Sequence, residues 1–523
     1  MKVLSGSQMR KIEAAAVEEM GIPTILMMEN AAIGVMKHCL AFLGTKTNPK
    51  VMIAAGAGSN GGDGLALARQ LHLRGIDLGV IFVGDMSEVR GDALLNLEIA
   101  GKLGIPIKTI PLGDNLLDVP YTIETCDLVV DALLGTGLNR AVEGSYEYII
   151  DMINGYAKHV ISVDIPSGIH ADTGQVMGTA VKANQTVTLG CPKTGLMIHP
   201  GAAYAGEVLV AEISLPHSLL TKTDVETFAF TDDEIPALLP NRDSRSHKGS
   251  FGRVYAFAGS SAMPGAAAIA SAAAYKSGAG LVYACAAPDV TQTIQRFTPE
   301  VIACLLLSRG DSYPRKNLDA ILEKITPADV VFIGPGLGRG PGVSESVMYL
   351  LENVNARLVI DADAINAVAE NVNILKNLKH SSVITPHPGE MSRLTGLPVQ
   401  EILQNTMSVA AEFAREFEVT TVLKDARTIV ASPSGHTYIN TTGCSALAKG
   451  GSGDALTGLI AGLAAQGMDT FNAAALGTYI HGKAGEQAAG TLSHYGVMAS
   501  DVVAQIPDVL ARYEKYKKKG CQS

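Results

Sequence analysis

A Cys-x-x-Cys pair is absent from this 523-residue chain: its seven cysteines, Cys39, Cys126, Cys191, Cys285, Cys304, Cys444 and Cys521, lie scattered. That pattern argues against a structural zinc site or a dithiol redox motif, and an odd number of cysteines in a long chain reads as reduced and cytoplasmic. No uninterrupted run of about 18 apolar residues occurs. The N-terminal "MKVLSGSQMRKIEAAAVEEM" places charges at helical spacing where a signal peptide would be apolar. No membrane association is therefore expected. Positive charge is also short, at a formal net −10, so no nucleic-acid partner is expected and the basic tail "KYKKKGCQS" reads as a solvated end. No sequence period joins the two halves, which excludes a repeat architecture.

What is present is glycine, at 55 positions, and apolar residues, at 47%. That balance fits a glycine-rich α/β enzyme, and the length asks for more than one core. Short apolar runs alternate with helical stretches in two series. The first holds "VMIAA", "LGVIFV", "CDLVVDAL", "HVISVDIP" and "QTVTLG"; the second holds "RVYAFAG", "GLVYACAAP", "DVVFIGPGLG", "RLVIDAD", "SSVITPHPGE" and "TTVLKDARTIVAS". Strands alternating with helices predict parallel sheets covered on both faces. A polar, proline-bearing stretch between the series sets domains at 1–220 and 221–523. The expected class is two tandem three-layer α/β domains, the first Rossmann-like.

Two glycine-rich segments carry the chemistry. In "VMIAAGAGSNGGDGLALARQ" a strand gives way to a helix expected from Leu65 onward, and Gly56, Gly58 and Gly61 satisfy G-x-G-x-x-G with Asp85 after the next strand. A nicotinamide-dependent dehydrogenase is one reading. Asn60 and Asp63 add polar side chains that a backbone cradle for pyrophosphate does not need. In "AKGGSGDALTGL" Gly450, Gly451 and Gly453 precede a helix expected from about Asp454. Asp454 either accepts a proton from a hydroxyl that attacks a phosphoryl group or caps the helix.

"GSGD", together with "HKGSFGRVYAFAGSSAMPGAAAIASAAAYKSGAGLVYA", "GPGLG", "DAD", "TPHPGE" and "KDART", resembles the ribokinase-like superfamily, and within it the ADP- or ATP-dependent NAD(P)H-hydrate dehydratases. The resemblance spans about residues 225–510. The first half, through "MMENAA", "GAGSNGGDG", "DALLGTGLNR", "VDIPSGIHADTG" and "TLGCPKTG", resembles the NAD(P)H-hydrate epimerases over about residues 1–215. Together they imply a bifunctional repair enzyme for NADH and NADPH hydrates.

The dehydratase resemblance implies Asp454 as base, Ala266, Gly336 and His387 against the hydrate, and Lys424, Asp425, Ala426, Arg427, Thr428 and Gly453 against ADP or ATP, carried with Mg²⁺. The epimerase resemblance implies Asp164 as the acid–base residue. It places Ser59, Asn60, Gly61, Gly62 and Asp63 and the run Gly135, Thr136, Gly137, Leu138, Asn139, Arg140 and Ala141 against the substrate, and Asn60, Asp131 and Ser167 around K⁺. Lys193 is expected to neutralise phosphate. A homo-oligomer is expected. A small-molecule kinase would explain "GSGD" and leave the first half idle; a non-catalytic first domain would leave Asn60, Asp131, Asp164 and Ser167 without a task.

Overall fold

A computed structural model describes residues 1–111, 119–222, 226–307 and 313–520; Cys521 lies outside the described residues. The chain divides into two compact units, Lys2–Val225 and Glu226–Ser523, with Met1 joining the second.

The first unit holds seven strands: β1 Lys50–Gly56, β2 Asp77–Val83, β3 Ile107–Ile110, β4 Leu128–Ala132, β5 Val160–Val163, β6 Gln185–Leu189 and β7 Glu207–Ala211. Their order is β3-β2-β1-β4-β5-β6-β7 and every pairing is parallel. This is the Rossmann order extended by one strand, and it reverses direction between β1 and β4. Alternate residues of β1 feed separate cores: Val51, Ile53 and Ala55 pack with helix Ser59–His72, while Met52 and Ala54 pack with Ile149, Ile150 and Ile153 of helix Ser145–Tyr156. Period-two burial on both faces produces three layers. Helix Thr24–Leu43 has 20 residues and a mean hydropathy of 1.3, so by length and composition it passes for a membrane span. Seven of its residues, Met27 to Leu43, are buried.

The second unit contains β8 Thr227–Phe228, β9 Arg253–Phe257, β10 Leu281–Ala286, β11 Ile302–Leu305, β12 Val330–Ile333, β13 Arg357–Ile360, β14 Val383–Ile384, β15 Thr420–Leu423, β16 Ile429–Ala431 and β17 Thr437–Ile439. The order is β11-β10-β9-β12-β13-β14-β15-β16-β17-β8, antiparallel only where β16 meets β15 and β17. One face, through Val254, Ala256, Val330, Phe332 and Val359, packs on the alanine-rich helices Pro264–Lys276, Ser452–Ala465 and Thr470–Gly496. Tyr255, Phe257, Val331, Ile333 and Ile360 point the other way and are equally buried, so this sheet too is covered on both faces. Its direction reverses between β9 and β12, which places the loops after β9 and β12 side by side.

Candidate active sites

In the first unit the glycine-rich segment is helical six residues earlier than expected: the helix runs Ser59–His72 and takes Gly61, Gly62, Asp63 and Gly64 into its first turns. Glycine disfavours helix interiors, but contact here demands it. A Cβ on Gly61 would lie 1.8 Å from the Gly56 carbonyl oxygen, and one on Gly64 would lie 2.6 Å from the Ala132 Cβ. No side chain caps the helix at Gly58, so its first amides stay open toward an anion at the crevice between β1 and β4.

The three residues expected around a cation meet at the end of β4. Asp131, fully buried, accepts hydrogen bonds from Ser162 Oγ (2.8 Å), Ser167 N (2.8 Å), Ser167 Oγ and Leu133 N (3.3 Å). Ser167 Oγ in turn accepts from Leu134 N, and Asn60 donates to the Leu134 carbonyl at 3.1 Å. Burial pushes the Asp131 carboxyl up. Its four acceptor positions are thus occupied by protein donors, whereas Asn60 Oδ1 accepts no hydrogen bond among the described residues. Gly135 abuts Asn60, and the run from Gly135 to Ala141 follows as a half-exposed loop.

Asp164 follows β5 with φ of 65°, a left-handed conformation that costs a non-glycine residue and is held by its surroundings. Those surroundings are Leu189 N at 3.0 Å, Thr188 Oγ1 and the Lys193 ammonium. Lys193 is 1% exposed and also donates to Thr188 and the Leu189 carbonyl. The expectation that Lys193 neutralises phosphate is corrected here: its donors are consumed inside the protein. Glu13 was not legible as a site residue. It lines a cavity of about 660 Å³ with Ser59, Asp63 and Arg90. Asp63 makes no hydrogen bond among the described residues; burial, Asp164 and Glu13 raise its carboxyl well above the ordinary range. Burial raises Glu13 as well, against the pull of Lys193. The first unit thus gathers three carboxylates and one ammonium, the lysine pairing directly with Asp164 while burial raises Asp63 and Glu13. Asp85, the ribose ligand of the dehydrogenase reading, instead accepts from Ser87 N at 2.8 Å and caps a short 3₁₀ turn.

In the second unit helix Ser452–Ala465 starts at Gly451, in the left-handed region with φ of 89° and no side-chain cap. Asp454 lies in the first turn and makes no hydrogen bond among the described residues, so it is not the cap. Burial first, then Asp361 and Asp363, push its carboxyl up to about 6, against Lys424. Asp361, at the end of β13 and 1% exposed, accepts from Lys424 Nζ at 2.8 Å, Thr385 Oγ1 at 2.7 Å and Thr457 Oγ1 at 2.7 Å. Lys424 opens the loop Lys424, Asp425, Ala426, Arg427, Thr428 between the antiparallel β15 and β16; its ammonium lies 3.4 Å from where a Cβ on Gly453 would stand. Positive charge and open amides therefore converge at one helix start. In the same loop Asp425 and Ala426 are exposed, Arg427 donates to the Thr441 carbonyl and Thr428 to that of Asp425.

His387 caps helix Pro388–Thr395: its Nδ1 accepts from Gly389 N and Glu390 N, at 3.0 and 3.3 Å, and its Nε2 stands 3.5 Å from Glu390. Burial and the Lys424 and Arg393 charges lower its pKa, so the ring is neutral and Nε2 carries the proton. Gly336, with φ of 65°, lies against Ala266: a Cβ would approach the Ala266 Cβ to 2.8 Å. Beside them a cavity of about 320 Å³ is lined by Ser260, Met263, Tyr313, Leu337 and Arg339. Two participants were not singled out in the sequence. Asp361 stood inside the quoted "DAD" motif. His481, from helix Thr470–Gly496, reaches Ser452 Oγ at 3.3 Å, and burial lowers it to about 4; nothing local in its sequence marks it.

Family models described as "NAD(P)H-hydrate dehydratase" and "YjeF-related protein N-terminus" match residues 254–508 and 24–195. A bifunctional NAD(P)H-hydrate repair enzyme of Moorella thermoacetica is 39% identical over 517 residues, 98% of each chain. The enzyme of the same description from Thermofilum pendens is 36% identical, covering 98% of this chain and 96% of that one. A solved ADP/ATP-dependent NAD(P)H-hydrate dehydratase from Bacillus subtilis, co-crystallised with ATP and Mg²⁺, is 31% identical over 54% of this chain and 98% of that one, at a TM-score of 0.46. With near-complete coverage at that identity, the chain belongs to the family of bifunctional NAD(P)H-hydrate repair enzymes.

Proposed function

We propose that the chain repairs hydrated NADH and NADPH in two steps. The unit before about residue 225 interconverts the R and S hydrates, and the following unit dehydrates the S form with ADP or ATP as phosphoryl donor. The observation that carries the second step is a carboxylate without a hydrogen bond, Asp454, set among open amides and the Lys424 ammonium. It accepts the proton of the C6 hydroxyl as that oxygen takes the terminal phosphoryl group. Lys424 and the amides at Gly453 offset the charge that develops on the transferred group. The phosphate then leaves C6 with its bonding electrons, the ring nitrogen's lone pair supporting the resulting cation, and loss of a proton from C5 to solvent forms the C5–C6 double bond and restores the dihydronicotinamide. Ala266, Gly336 and the neutral His387 contact the hydrate, with Lys424 to Thr428 against the nucleotide. Mg²⁺ would be carried on the nucleotide phosphates and would offset their charge, since a protein that supplies few ligands of its own leaves the ion largely to the phosphates.

In the first unit, inversion at C6, a hemiaminal carbon, needs its bond to the ring nitrogen to open and close again on the other face, with one group to take the hydroxyl proton and one to give a proton to the departing nitrogen, both returned on closure. Asp164, paired with the Lys193 ammonium, is the acceptor, and Asp63, whose carboxyl burial raises well above its ordinary range, is the donor. Ser59 to Asp63 and Gly135 to Ala141 line the dinucleotide. The cluster at Asn60, Asp131 and Ser167 is of oxygen donors, the type a monovalent cation takes, but protein hydrogen bonds already occupy Asp131 and Ser167. Asn60 Oδ1 is the side-chain oxygen left for it, while Asp131 orients Ser167 and Leu134. K⁺ held there would supply positive charge to a substrate bound in the crevice. We place the enzyme in the cytoplasm with the dinucleotide pools, as a homo-oligomer with small-molecule substrates.

The test follows each step separately. Pure S hydrate with Mg²⁺ and ADP or ATP should return NADH, and pure R hydrate without nucleotide should relax to the R–S mixture faster than an enzyme-free control. Failure of the first removes the dehydratase reading, and failure of the second removes the epimerase reading.

A further inference from the structure

β10 and β11 run parallel, and their register sets Cys285 directly opposite Cys304. Directly opposed residues on neighbouring strands project to the same face, so the two thiols are neighbours across the strand pair, with the Cys285 thiol donating to the Tyr283 carbonyl at 4.0 Å. Cys285 is buried; Cys304, on the outermost strand of the sheet order, is partly exposed beside Ile302 and Leu305, which are 38% and 58% exposed. We propose that Cys285 and Cys304 are a redox-sensitive pair, closed to a disulfide by a small oxidant such as hydrogen peroxide and reopened by a thiol.

The separation suits the reaction. Neighbouring strands lie about 4.8 Å apart, within the ~4.4–6.8 Å Cα separation that a disulfide spans. The chemistry is asymmetric. Cys304 is the accessible member, and the neighbouring Cys285 thiol and the Lys324 charge lower its own thiol to about 7; burial drives the Cys285 thiol well above its ordinary value. Accessible thiolate character selects the attacking sulfur. The Cys304 thiolate attacks one oxygen of hydrogen peroxide, forming an S–O bond as the O–O bond breaks and hydroxide leaves. Cys285 sulfur then attacks the Cys304 sulfenic acid, the S–S bond forms, the S–O bond breaks, and water departs with the Cys285 proton. Overall two thiols lose two electrons and two protons, and peroxide is reduced to two waters. The bridge would tie the sheet's outermost strand to β10, which ends beside Ala287, a wall residue of the 320 Å³ cavity. This inference stands on register and thiol environment, independent of the repair reaction.

The experiment uses the full chain, freed of reductant and exposed to hydrogen peroxide, then unfolded and alkylated. Alkylatable cysteines should fall from seven to five, with a peptide cross-linking Cys285 to Cys304 that disappears after dithiothreitol. Cys304→Ser should abolish the cross-link, and Cys521→Ser should leave it intact, which separates it from a bridge between chains. Seven alkylatable thiols after treatment, or a Cys304 oxidised to sulfinic acid with Cys285 still alkylatable, would overturn the proposal.

Discussion

Burial and the neighbouring Asp361 carboxylate push Asp454 from 3.8 to about 6, so the folded protein holds a proton there that the unfolded chain has released. A raised carboxyl stabilises the fold fully below about pH 4 and loses that contribution as pH rises to about 6. Above pH 6 the fold carries a cost of about 3 kcal/mol. Asp454→Asn should therefore raise the melting temperature by several degrees at pH 8 while slowing dehydration by ~10²-fold or more. A residue that merely supported the helix would lose stability and turnover together. In the parent enzyme kcat/KM for dehydration should rise through about pH 6, and this limb should vanish in the variant. Asp164 behaves differently, because Asp164→Asn leaves the Lys193 ammonium buried without its partner. Epimerisation should fall by ~10²–10⁴, with a stability loss of about 3–5 kcal/mol. Asp63→Asn isolates the chemistry from that cost: the fold should be retained, while epimerisation slows and loses its alkaline limb. Unchanged epimerisation would make Asp63 a wall residue. The glycine-rich motifs drew attention to Asp63 and Asp454 in the sequence, and the family resemblance pointed to Asp164. Asp361, Glu13 and His481 were not legible, since each gains its role from partners brought by distant strands and helices.

Both helix starts that face the sites open with glycine in place of a capping side chain, which leaves their amides to a ligand. The two glycines tested most simply are not equivalent. Gly61→Ala would drive a Cβ to 1.8 Å from the Gly56 carbonyl, and should cost about 3 kcal/mol or more. At Gly453 the nearest atom is the flexible Lys424 ammonium at 3.4 Å. Gly453→Ala should fold normally yet raise the KM for the nucleotide about tenfold, or ~1.4 kcal/mol; thermal melting and steady-state kinetics separate the two effects. The same packing explains why helix Ser59–His72 began earlier than its glycines suggested: propensity yields where backbone approach requires the absence of a Cβ. The buried strands β1, β4, β9 and β12 were plain as apolar runs. β3, β11 and β17 were not, because the short "IKTI" and "TYI" carry polar residues and "IACL" lies at an edge with most of its side chains outward.

At the level of the whole chain, composition and alternation were enough to read two tandem α/β units; the polar stretch suggested a boundary after residue 220, and the compact units part between Val225 and Glu226. Motifs carried the proposed chemistry further than composition could, because each carboxylate proposed as catalytic stands at a strand end or helix start in a glycine-bearing motif. The two units are proposed to serve one metabolite, so the whole chain should do what neither step does alone. The most direct measurement mixes R and S NADH hydrates with the enzyme, Mg²⁺ and ADP or ATP, and follows the return of reduced-nicotinamide absorbance while an enzyme-free control shows little spontaneous interconversion. The account predicts that all of the hydrate is recovered, the S fraction first and the R fraction as it is epimerised. Recovery that halts once the S fraction is spent would contradict the epimerase half, and no recovery with either nucleotide would contradict the repair function itself.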